Sequence, residues 1–138
     1  IGYLIELHVD RHALSRVVSR LEADPDCSVL EAERDEFGAT HVDFGVGLCE
    51  RWHIPAVLAR SMGAHHAPLQ AEGQARDLAA LVFLGDVAAT RGIAPHPLDR
   101  AVDDEVDQVL WMAHLPRAHF DEAIAALPEA VEAAHAFD

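Results

Sequence analysis

Residues 38–68, GATHVDFGVGLCERWHIPAVLARSMGAHHAP, constrain this chain more than any other stretch. They hold two short helical patterns joined at His53-Ile54-Pro55. Gly38 and the cap-like Thr40 open the stretch, and His65-His66 before Pro68 closes it. Caps and breakers placed this way predict a helical hairpin. His41 stands near its start and His65 and His66 near its end, so the hairpin is either one that contains histidines or the scaffold of a metal site.

The flanking sequence reads as helix in the same way. Residues 2–9, GYLIELHV, form an apolar helical end, and Asp10 can cap a new helix over 11–23. There Leu14, Val17, Val18 and Leu21 recur at helical spacing, and Asp24-Pro25-Asp26 breaks the run. Ser28 and Glu31 have capping-box spacing, and the helix they start runs to Phe37, with Gly38 supplying a left-handed turn. Thr40 caps a helix over 41–52, on which His41, Gly45, Leu48 and Trp52 share a face. Pro55 fits the first turn of the next helix, where Leu58, Met62 and His65 align.

Residues 67–75 read as a loop. A helix over 76–90 follows, with Leu78, Leu81, Val82, Gly85 and Ala89 expected inward and Asp86 on the edge of that face. After Gly92 and the linker Pro95-His96-Pro97, a helix starts at Asp103 or Asp104 and runs through Met112. Pro116 and Pro128 open two last helices, 117–126 and 128–136. Trp52 and Trp111 are expected as core anchors. No strand alternation of useful length and no internal repeat occurs, so the expected fold is all-α, about seven short helices around one core.

Composition narrows the function classes. The 138 residues, 51% of them hydrophobic, suffice for a single domain spanning 1–138. The formal charge is −14, from 24 acidic and 10 basic residues, and every basic residue is Arg. Phosphate-backbone affinity needs clustered positive charge, so neither a nucleic acid nor an anionic membrane surface is expected as partner. Cys27 and Cys49 lack metal-knuckle spacing and suit free thiols in a reducing cytoplasm. No apolar run approaches the roughly 20 residues that a membrane span needs.

Chemistry, if present, centres on His41, His65, His66 and Asp86. Imidazole is the commonest metal ligand, carboxylates complete many such sites, and three consecutive helices supply these four residues. The bland readings are a first-turn His41 bonded to backbone, a satisfied His65, and a solvated His66 near a helix C-terminus. An Asp near a core needs a partner, and Arg51 or Arg60 would serve as well as a metal. The same arginines would have to line any pocket that captures an anion. No GxSxG, GxGxxG or P-loop is present.

Several of these residues resemble one family in order. Glu31-x-Glu33-Arg34-x-x-Phe37-Gly38, His41-x-x-x-Gly45, Arg51-Trp52-x-Ile54-Pro55 and His65-His66-x-Pro68 resemble the HDOD, or HD-related output, domain of bacterial signalling proteins. Leu78 through Asp86 looks like the helix that follows, and Ile1-Gly2 like the tail of a His-Asp-Ile-Gly segment. The resemblance implies an HD-domain-like bundle, here without its N-terminal helices, as the C-terminal part of a larger protein. It implies a noncatalytic regulatory domain whose partner is a signalling protein or domain. The related HD and HD-GYP phosphohydrolases bind divalent metal. By that similarity His41, His65, His66 and Asp86 match ligand positions, and Mn, Fe or Zn is the implied ion. The central His-Asp pair would precede Ile1, and the GYP element is missing from 67–75, which read APLQAEGQA. The expectation is therefore a regulator without cofactor. The alternative is a metal-dependent phosphohydrolase acting on a phosphoester or cyclic dinucleotide.

Overall fold

The computed structural model describes residues 2–98 and 101–135, and every regular element among them is helical. The first helix, α1 (Gly2–Ala23), is two helical segments joined at Asp10, whose backbone is extended (φ −155°, ψ 95°). Asp10 accepts the N–H groups of His12 at 2.9 Å and Ala13 at 3.1 Å, the N-terminal capping that its position predicts. Ala13, Val17 and Leu21 bury one stripe of the second segment. Val17 and Leu21 meet Cys27, which precedes α2 (Val29–Phe37), and Val29 and Ala32 in its first turns. On the outside, Arg16 pairs with Glu36 and Arg20 with Asp35, each at 2.6 Å.

Gly38 ends α2 with φ 73°, and its N–H donates to the Arg34 carbonyl at 2.9 Å. Only glycine takes this left-handed turn without strain. Thr40 then opens α3 (His41–Arg51) through a reciprocal capping box with Asp43. Pro55 precedes α4 (Ala56–Ala64), and α3 and α4 pack as the expected hairpin. Gly45 lets them approach closely, because a Cβ there would stand 2.8 Å from the Met62 sulfur. Helices α5 (Gln74–Gly92), α6 (Asp103–Met112) and α7 (Arg117–His135) complete the bundle. A second cluster of Ala80, Phe83, Leu84, Val87, Val106, Val109, Leu110 and Phe120 holds these three together. The all-α expectation of about seven helices holds.

The structure corrects five local expectations. Ser28 stands at the N-cap of α2 but makes no side-chain cap hydrogen bond, so the capping box there does not form. Ser28 is one of the residues that line a cavity. The expected loop 67–75 contains a 3-10 turn, Pro68–Gln70, and already includes the start of α5. On α5 the buried face is Ala75, Ala79, Ala80, Phe83, Leu84 and Val87, while Leu81 and Val82 are exposed. This helix is apolar on two faces, and packing against α6 and α7 selects one of them.

Trp52 and Trp111 are 60% and 82% exposed, so neither anchors the core. The two last helices are one: α7 continues through Pro128. Proline lacks the N–H that would bond the carbonyl four residues back, here that of Ile124. That carbonyl oxygen faces Gly92, whose missing Cβ leaves room for it. Ala136, assigned to the last helix, and Ile1 of the Ile1-Gly2 segment lie outside the described residues.

Candidate functional site

The candidate site starts from a buried carboxylate. Glu33, on the inward face of α2, is fully buried and reaches the first residue of α3. It accepts the backbone N–H of His41 at 3.0 Å, and both of its oxygens lie 2.8 Å from His41 Nδ1. That pairing places the ring proton on Nδ1 and leaves a lone pair on Nε2. The Tyr3 ring stacks on His41 with centroids 4.1 Å apart, which fixes the plane of the imidazole. Gly2 makes the stack possible. A Cβ at Gly2 would stand 2.6 Å from the His41 carbonyl carbon and 2.7 Å from its Cβ.

His65 closes α4, and its Nδ1 donates to the Met62 carbonyl at 2.6 Å. Its Nε2 therefore also carries a lone pair. His65 Nε2 stands 3.4 Å from His41 Nε2, and His66 Nε2 stands 2.9 Å from the same atom. In the metal-free protein, the His66 N–H can donate to the His41 lone pair. Burial, ahead of any other cause, holds the His65 imidazole below its ordinary range. Burial and then the neighbouring His65 and His41 push His66 down to about 3. All three donor atoms lie within 4.8 Å of one another. Three converging imidazole nitrogens and a carboxylate behind one ring suit a divalent transition metal.

Asp86 is brought only to the rim. Its carboxylate is 62% exposed, and one oxygen lies 4.0 Å from His65 Nε2. An adjacent cavity of about 450 Å³ is lined by Tyr3, Ser28, His65, His66, Asp86 and Thr90, among others. Neither Arg51 nor Arg60 lines it. The bland reading of His41 as a backbone-bonded residue gives way to its contact with Glu33.

Sequence reasoning missed Glu6, the most unusual group here. Glu6 is fully buried on α1, and neither carboxylate oxygen has a hydrogen-bond partner among the described residues. Desolvation first, and the charge of Glu33 second, raise its pKa to about 8. One oxygen each from Glu6 and Glu33 and one nitrogen of His41 lie within 4.8 Å of one another. The available signal was a lone glutamate inside the apolar run 2–9, four residues after Gly2 on the same helical face.

Fold and site together define a class: an all-α bundle that gathers imidazoles from adjacent helices, backed by buried carboxylates. Residues 1–68, about half of the chain, match the HDOD domain, and that half belongs to the HD-related output domain family. The match takes in Glu33, His41, His65 and His66, whereas Asp86 and the helix around it lie beyond it. No curated protein and no solved structure matches the chain. No helix among the described residues is long and apolar enough to cross a membrane.

Proposed function

We propose that the chain is a noncatalytic regulatory domain of a bacterial, cytoplasmic signalling protein, acting through protein contacts. One observation carries this reading: an exposed apolar groove of about 500 Å³ between α3, α4 and α5. Leu48, Trp52, Ile54, Leu58, Leu81 and Val82 line it, and Trp52, Leu58, Leu81 and Val82 are exposed. Contiguous exposed apolar surface marks interaction sites. The net charge of −14 disfavours a second copy of this chain there. It favours a helical segment of a signalling partner with an apolar face and basic flanks.

The test uses Trp52 as reporter in a Trp111→Phe background. Titration with a basic amphipathic helical peptide should shift Trp52 emission to the blue. Leu58→Asp with Leu81→Asp should abolish the shift. The same pair in the full-length regulator should abolish its signalling output. An unchanged output would count against the reading.

The converging histidines support a second reading, a metal-dependent phosphohydrolase of the HD superfamily. His41, His65 and His66 would hold the ion, with Asp86 at the rim. A divalent ion there would supply charge neutralisation and water activation for phosphoester cleavage. The discriminating assay is turnover of a cyclic dinucleotide by the full-length protein with Mn²⁺. Turnover lost on His66→Ala would replace the regulatory reading with this one.

A further inference from the structure

The histidine cluster leaves Glu6 unexplained. A carboxylate buried without a partner costs several kcal/mol, and a neutral carboxyl in the same place still leaves its donor and acceptor unmade. Among the described residues the oxygens of Glu6 are not spent on backbone or side chains, and one of them lies within 4.8 Å of the Glu33–His41 pair. From this geometry we infer a second cation site, built from Glu6, Glu33 and His41, that takes a divalent ion on the inner side of His41.

Charge and spacing support it. Two carboxylates balance one doubly charged ion. Oxygen-rich sites with one imidazole suit Mn²⁺ and related ions, with ligands at roughly 2.1 Å. Neighbouring ligands of one such ion then stand roughly 3 Å apart and opposite ones roughly 4.2 Å apart. The 2.8 Å between His41 Nδ1 and the Glu33 oxygens and the 4.8 Å limit of the cluster bracket that range. Glu6 can adjust its approach on a side chain with three rotatable torsions. The ion takes the place of the Nδ1 proton that His41 now shares with Glu33 and of the proton that buried Glu6 carries near neutral pH; the first leaves to solvent or to Nε2, and the second leaves to solvent. The site differs from the outer cluster, because it uses neither His65 nor His66.

The test strips metal from the full-length protein with chelator and titrates Mn²⁺ alone, reading bound ion by electron paramagnetic resonance. A His65→Ala/His66→Ala chain should still bind one Mn²⁺, with hyperfine coupling to one imidazole nitrogen. Glu6→Gln, which keeps the shape and removes the charge, should weaken that binding at least tenfold. Mn²⁺ should raise the melting temperature of the double histidine variant but not that of the same variant carrying Glu6→Gln. Binding unchanged by Glu6→Gln would overturn the inference. So would a double histidine variant that is folded by circular dichroism and binds no Mn²⁺.

Discussion

Glu6→Gln is also the sharpest probe of the metal-free fold. Glu6 titrates near 8 in the folded chain against an ordinary value of 4.5. At pH 7 the unfolded chain holds it ionised, whereas the folded chain must first take up a proton. pH 7 lies roughly 2.5 pH units above 4.5, and each unit is worth about 1.4 kcal/mol, so that uptake costs about 3 kcal/mol. Glutamine has no such cost and fills the same volume. In chelator at pH 7, Glu6→Gln should therefore stabilise the protein by up to about 3 kcal/mol.

The sign follows from linkage. A carboxyl whose folded pKa is raised lets the folded state bind more protons between 4.5 and 8, so its contribution is full below 4.5 and lost as pH rises to about 8. His65 and His66 are shifted downward and drive the opposite slope on the acid side. The difference between variant and wild type removes their share. Urea unfolding at pH 4, 5.5, 7 and 8 should give a difference near zero at pH 4 that grows to a plateau near pH 8. A difference independent of pH, or a destabilised variant at pH 7, would refute the assignment of Glu6 as a buried unpaired acid.

Three further outcomes follow from the same geometry. His66→Gln should gain on wild type as pH falls from 6.5 toward 3, by about 2–3 kcal/mol at pH 4.5, because the unfolded chain binds a proton that buried His66 refuses; parallel pH profiles in chelator would contradict this. Gly2→Ala places a methyl group inside van der Waals contact with the His41 backbone, so it should cost about 1–3 kcal/mol and release the Tyr3–His41 stack; unchanged Tyr3 and His41 chemical shifts would rule that out. Gly38→Ala meets no atom within 4 Å, so only the φ of 73° is strained, and a loss of about 1 kcal/mol is expected in thermal unfolding.

Local rules made much of this molecule legible. Asp10, Thr40 and Pro55 mark helix starts, and Gly38 marks an end, because caps and left-handed turns depend on a few adjacent residues. His41 and the His65-His66 pair stood out for the same reason: their spacing on a hairpin is a property of the chain itself. Pro128 shows where a local rule loses. It removes one hydrogen bond, yet packing of α7 on α5 keeps the helix continuous past it.

What tertiary structure alone decided is which face, which partner and which depth. The α5 helix carries two apolar stripes, and only contact with α6 and α7 buried Phe83 and Val87 while leaving Leu81 and Val82 in an open groove. Trp52 and Trp111 are large and mostly apolar, yet Trp52, just past the end of α3, and Trp111, on α6, both stand exposed. Glu33 and His41 are eight residues apart in the chain, and α1 adds Glu6 from 27 positions before Glu33. A histidine pattern can be read along one hairpin. A buried acid can be recognised only when three helices close over it and leave its oxygens without water, because desolvation belongs to the packed fold and to no single stretch of sequence.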